Sequence, residues 1–159
     1  MPSLNLVTDI EAPPSRCFDL SLSVDFHVSS MAHTGEAPVA GVTSGIMRLG
    51  DSVTWRAKHF GVTQRLTSKI TRFEHPRMFR DSMVQGTFRR FDHDHIFEPA
   101  PNGTRMIDVF DYDAPLGLLG RLAERTFLNR YMLRLLQTRN AHLKAALEGD
   151  RWRAFLDSR

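Results

Sequence analysis

A single cysteine in 159 residues, Cys17, leaves no partner for an internal disulfide, so packing alone must hold the fold. No apolar run approaches the roughly 20 residues that a membrane-spanning helix needs, and no basic head followed by an apolar stretch opens the chain. These absences predict a soluble, cytoplasmic protein. Charge of one sign is also scarce. Lys and Arg number 21 against 18 Asp and Glu, a net charge of +3. The basic residues are scattered, which argues against a nucleic-acid-binding arm. Neither a Gly-rich phosphate loop, a nucleophile elbow nor zinc-finger spacing occurs.

What is present is an ordinary apolar fraction of 42%, enough for one core in one domain covering residues 1–159. The chain is organised around Pro115 to Leu147, where Leu118, Leu119, Leu122, Phe127, Leu128, Tyr131, Met132, Leu135, Leu136, Leu143 and Leu147 recur at three- and four-residue steps. This spacing predicts an amphipathic helix over about 116–148, roughly 40 Å long. Such a helix cannot stand alone and needs a surface of similar length to cover its apolar face.

The preceding chain supplies that surface. Ser3 to Ile10 alternates as a strand; Pro14 to Leu20 and Ser21 to Met31 read as two short helices. Gly41–Leu49, Asp51–Phe60, Val62–Phe73, Met78–Val84, Thr87–Glu98 and Thr104–Tyr112 read as strands joined by turns, with Gly86 the expected bend. Asn102-Gly103 between the last two is the strongest hairpin signal. An α+β arrangement follows, with an antiparallel sheet covered on one face.

The stretches GVTSGIMRLGDSVTWRAKHFGVTQRLTSKITRF and FRRFDHDHIFEPAPNGTRMIDVFDYDAPLG, in this element order, resemble the SRPBCC superfamily. This is the START-like, birch-pollen-allergen-like helix-grip group, and more narrowly its bacterial polyketide cyclase/dehydrase-like proteins. The resemblance implies a curved sheet of about seven antiparallel strands gripping the C-terminal helix, with the two short helices closing one end of a deep apolar cavity. It implies no metal and no cofactor. The superfamily spans carriers, receptors and enzymes, so fold alone does not give the chemistry.

The hairpin carries the candidate chemistry. Phe91, His93, His95 and Phe97 share one face of its first strand, and Met106, Asp108, Phe110 and Tyr112 one face of its second. If both sets point inward, two imidazoles and a carboxylate sit among aromatic rings. His93, His95 and Asp108 then form a hydrogen-bonded internal network, the polar anchors of a ligand cavity, or a catalytic set in which a histidine takes a proton. A metal triad is the weakest option, because no third His or Cys stands on the next strand. Trp55 and His59 share a face on a neighbouring strand and add an aromatic wall, with plain core packing as the alternative. Phe127, Tyr131 and Leu135 are the helix's contribution to the same lining. His27 is a candidate for the helical lid.

The expected ligand is a small, largely hydrophobic molecule such as a lipid, an isoprenoid or an aromatic polyketide, held by a carrier or sensor. The alternatives are a polyketide cyclase or dehydratase with His93 or His95 as base, and an interaction protein whose core is filled. No nucleic-acid partner is expected. Peripheral membrane contact and a homodimer, through a hydrophobic mouth or an exposed strand edge, stay open.

Overall fold

The computed structural model describes residues 3–114, 122 and 127–157. Its elements are β1 (Ser3–Ile10), α1 (Pro14–Ser21), α2 (Val24–Ser30), β2 (Ala37–Gly41), β3 (Ser52–His59), β4 (Val62–Glu74), β5 (Met78–Gln85), β6 (Arg90–Ala100), β7 (Gly103–Asp113), α3 (Asn129–Glu148) and α4 (Arg153–Leu156). The strands form one antiparallel sheet in the order β1-β7-β6-β5-β4-β3-β2. This is the helix-grip fold expected from the sequence.

Two short helices follow β1. Pro14 opens α1 at a position where a missing N–H costs nothing. Ser23 caps α2 by accepting from the Phe26 amide at 3.1 Å. Phe18, Leu20 and Val24 are buried to 1% exposure or less.

The expected strand over Gly41–Leu49 is corrected. The strand here is β2, which ends at Gly41, and residues 42–51 form a loop. Gly41 has φ +73°, and a Cβ on it would lie 2.3 Å from the Ser52 carbonyl oxygen. The loop's backbone pairs with the helices instead: Val24 donates to the Gly45 carbonyl and Met47 to that of Leu22. The expected bend at Gly86 is present, just past the end of β5 at Gln85. The register between β4 and β5 shifts twice, with Val84 the extra residue on β5 and Thr71 the extra residue on β4.

The β6–β7 hairpin stands where expected, with its turn one residue earlier. Ala100 pairs with Gly103, so Pro101 and Asn102 are the central residues. Gly103 is required for another reason: a Cβ on it would lie 2.2 Å from the Ile10 carbonyl oxygen on the adjoining strand end. Across the hairpin Phe91 faces Tyr112, His93 faces Phe110, His95 faces Asp108 and Phe97 faces Met106. All eight are buried, as the alternation requires.

The helix α3 begins at Asn129, after a π-helical turn at Phe127 and Leu128. Its 20 residues span about 30 Å. The start expected at Pro115 lies outside the described residues. Leu143, Ala146 and Leu147 are buried to 2% or less, whereas Tyr131, Met132 and Leu135 are half-buried. The helix is thus packed hard at one end and loosely at the other. No helix among the described residues is long and apolar enough to cross a membrane.

Candidate functional site

Under the loosely packed end of α3 lies a cavity of about 470 Å³. Leu66, Phe88, Phe91, Phe110, Met132 and Leu136 supply much of its apolar wall. Of the residues singled out from sequence, Trp55, His59, Phe91, His93, Phe110, Tyr131 and Leu135 line it. His27 does so too, facing Trp55 with ring centroids 4.5 Å apart.

The remaining candidates sit elsewhere. Phe97 is 2% exposed and packs against Phe18 and Phe79 in the filled part of the core. Tyr112 is fully buried, and its hydroxyl donates to Asn129 Oδ1 at 2.5 Å. Phe127 is 58% exposed and stacks near Phe60 and Tyr131 on the outer side. His95 stacks on Phe79 at 4.2 Å and lines only a smaller hollow of about 80 Å³.

Asp108 is the hub between the two ends. Its Oδ1 accepts from His93 Nε2 at 2.8 Å and lies 3.2 Å from His95 Nδ1. Arg139 Nη2 donates to the same oxygen at 2.7 Å. Asn140 Nδ2 donates to Oδ2 at 2.6 Å and approaches the Thr8 hydroxyl at 3.2 Å. Arg139 also holds Asn140 Oδ1 through Nε at 3.0 Å and Nη2 at 2.7 Å. Four elements, β1, β6, β7 and α3, thereby meet at one carboxylate.

Burial would push the Asp108 carboxyl up, but the Arg139 charge and the two imidazole donors hold it well below the ordinary carboxylate range. Burial lowers the pKa of His93 in spite of Asp108, and burial together with the neighbouring His93 places His95 well below its usual value. Both histidines are therefore neutral at pH 7. The network assigns the His93 proton: it sits on Nε2, which faces the ionised Asp108.

His93, His95 and Asp108 do bring three ligand atoms within 4.8 Å of one another. However, Arg139 already places a full positive charge on the carboxylate oxygen that both imidazoles share. A cation would have to enter beside that guanidinium, so the set suits a hydrogen-bond hub better than a metal cage.

Toward α2, His27 Nε2 lies 3.2 Å from Glu36 Oε1, and His59 Nδ1 lies 2.6 Å from the Tyr131 hydroxyl. Burial alone would raise the Glu36 carboxyl; His27 beside it brings it below its ordinary value. Burial lowers His59 and raises Tyr131. Cys17 is fully buried, which raises its thiol pKa and fits an inert role.

Sequence reasoning missed Arg139, Asn140, Thr8, Glu36 and Asp81. For Asn140 and Asp81 a signal existed. Asn140 lies on the stripe of Leu136, Leu143 and Leu147, and Asp81 alternates with Phe79 and Met83. A polar residue on an otherwise apolar stripe calls for a buried partner.

Among solved structures, the chain resembles TTHA0849 from Thermus thermophilus, with 20% identity and a TM-score of 0.71 over 91% of this chain and 99% of that one. It is similar to CV1439 from Chromobacterium violaceum, at 14% identity and TM-score 0.69 over 94% and 100%. Ara h 8.0201 shares 11% identity with a TM-score of 0.62 over 91% and 98%. These likenesses show the fold. No curated protein sequence matches the chain. The model of the family described as "Polyketide cyclase / dehydrase and lipid transport" matches residues 1–148. With the helix-grip sheet, the cavity and this match together, the chain belongs to that family, within the SRPBCC superfamily.

Proposed function

We propose that the protein binds a small, largely hydrophobic molecule in the cavity between the sheet and α3, as a carrier or sensor. The observation that carries this reading is the cavity itself: about 470 Å³, with mainly apolar and aromatic walls and a few polar groups at one end. Ligand pockets have this size and this composition. That volume speaks against a core filled by side chains. Native mass spectrometry of the purified protein, with extraction of bound material, tests the proposal. A co-purifying lipid, isoprenoid or aromatic compound is expected. An empty protein that also gains no thermal stability from any member of a hydrophobic ligand panel would sink it.

A second reading, catalysis of the cyclase or dehydratase type, draws support from His93. It lines the cavity and is oriented by Asp108 at 2.8 Å, an arrangement that serves general-base chemistry. Against it, burial weakens His93 as a base. His95 is a poorer candidate still, because it lies outside the main cavity. Enzymatic turnover of a bound compound that His93→Gln abolishes without releasing the compound would favour catalysis over carriage.

A further inference from the structure

The turn between β3 and β4 carries a residue that its own geometry does not favour. His59 pairs with Val62, which leaves Phe60 and Gly61 as the two central residues, both with positive φ, at +54° and +73°. Such a turn prefers Asn-Gly, and a large aromatic residue rarely adopts the left-handed region. Phe60 is nevertheless there, 53% exposed, with Val62 exposed beside it. Its ring meets Tyr131 at 4.5 Å and the exposed Phe127 at 5.3 Å between centroids. Phe60 and Tyr131 also line the main cavity, so this apolar tip stands at its rim.

The outer face of the same hairpin is cationic. Val53, Trp55 and Ala57 point inward, so Arg56 and Lys58 point outward, and Arg65 stands directly across from Arg56. Arg56, Lys58, Arg65 and Lys69 are exposed, and none has a carboxylate partner among the described residues. No acidic residue occurs from Ser52 to Phe73, and β2, the neighbouring edge strand, carries no charge. Like charges facing each other across a ladder destabilise a sheet. The outer face of β5, β6 and β7 is built differently: Arg80 holds Asp94 at 2.6 Å, and Arg90 holds Asp111 at 2.9 Å. Arg130 and Arg134, early in α3, add two more exposed cations within two turns of Phe127.

We propose that this end of the molecule docks on a bilayer containing anionic lipid, with Phe60, Val62 and Phe127 in the interface and Arg56, Lys58 and Arg65 against the head groups. Exposed apolar side chains favour the acyl boundary, and unpaired cations favour a negative surface, where each strengthens binding about fivefold. A bilayer offers both side by side. An acidic protein surface would meet the cations and leave the Phe60 tip in water. A nucleic acid needs rings interleaved with cations along one groove, whereas here the apolar groups gather at the tip and the cations stand behind them. Docked in this way, the rim of the cavity meets the layer that holds apolar molecules. The docking face itself does not depend on the cavity being occupied.

The test is co-sedimentation of the intact protein with vesicles of phosphatidylcholine, alone or with one quarter phosphatidylglycerol, in about 0.1 M salt. The mixed vesicles are expected to bind about tenfold tighter or more, and to release the protein in about 1 M salt. Phe60→Asn restores the favoured Asn-Gly turn, so it should melt no lower than the wild type and yet bind mixed vesicles about tenfold more weakly. Arg56→Glu sets an acid across from Arg65, which suits the sheet, and should weaken binding by about the same factor or more. If either variant melts lower than the wild type, Lys58→Glu replaces it, with the same loss expected. Equal binding to both vesicle types, binding to neither, or binding undiminished by either substitution would overturn the docking face. So would an affinity for a single-stranded oligonucleotide that needs Arg56, with none for vesicles, which would give the cationic face to a nucleic acid. A co-purifying ligand without vesicle binding would end the docking proposal and keep the cavity reading. An empty protein, inert to the ligand panel but held by mixed vesicles, would do the reverse.

Discussion

The space between sheet and helix has two ends built to different specifications from the same alternating strands. At one end Phe18 meets Phe73, Phe79 and Phe97 edge-on at 5.1 to 5.6 Å, and Leu143, Ala146 and Leu147 of α3 close over them. At the other, Phe91, Phe110 and Leu136 stand around a hollow, and Tyr131, Met132 and Leu135 of the same helix are only half covered. The difference comes from α1 and α2, which insert Phe18, Leu20 and Val24 beneath one end. Asp108, Arg139 and Asn140 mark the boundary. A hollow lined by large apolar groups is stable only beside a well-packed region that supplies the folding energy, and a fixed polar hub keeps the two from merging.

Breaking the boundary should have the largest effect. Arg139→Ala leaves Asp108, fully inaccessible to solvent, without its cation. A loss of about 3–5 kcal/mol in urea denaturation is expected. Asp108→Leu in the same chain should recover much of it, because the stranded charge goes too. If Arg139→Ala costs less than about 1 kcal/mol, the ion pair does not hold the boundary.

The two ends can then be compared directly through a matched pair. Phe97→Ala, in the filled end, should cost about 3–5 kcal/mol. Phe91→Ala removes the same atoms from a wall that already borders empty space, so fewer contacts are lost, and about 1–2 kcal/mol is expected. Equal losses would mean that the open end is closed in solution.

The filled end and the hairpin were largely legible in the residue pattern, whereas the hollow was legible only through the family resemblance. Period-two alternation put Phe91, His93, His95 and Phe97 inward correctly, because burial on one sheet face leaves no other register. The same pattern cannot say whether an inward side chain meets another side chain or open space. Phe97 and Phe91 look alike in sequence and differ only through what α1 delivers opposite them. The hub was half visible: Asp108 and the histidines lie within one hairpin, whereas Arg139 and Asn140 come from a separate helix further along the chain, and only folding chooses their partner. The loop at 42–51 reads as a strand because its Val42 and Ile46 fall on one face of a period-two pattern, while Gly41, Gly45 and Gly50 all adopt positive φ.

Titration gives the buried acid and the buried base around the smaller hollow opposite effects on stability. The folded state raises the Asp81 pKa from 3.8 to about 6, so it binds a proton there more readily than the unfolded chain does. The resulting destabilisation is fully present above pH 6 and fades as the pH falls toward 4. Asp81→Asn should therefore gain about 1–3 kcal/mol at pH 8 and almost nothing at pH 4, measured as denaturation midpoints across that range.

His95 titrates with the opposite consequence. Its folded pKa lies well below 6.5, so the unfolded chain takes the proton first, and stability falls as the pH drops below 6.5. The wild-type stability between pH 4 and 6.5 therefore carries opposed slopes, one from Asp81 and the other from His95 together with His93 and His59, whose folded pKa values are also lowered. His95→Gln keeps a donor for Asp108 and removes the titration. It should cost only about 1 kcal/mol at pH 7.5 and should flatten the acid side of the profile, whereas Asp81→Asn should steepen it. Two variants that shift the slope in the same direction would show that either the Asp81 carboxyl is not raised or the His95 imidazole is not lowered, so that burial does not govern the charge of these two groups beside the smaller hollow.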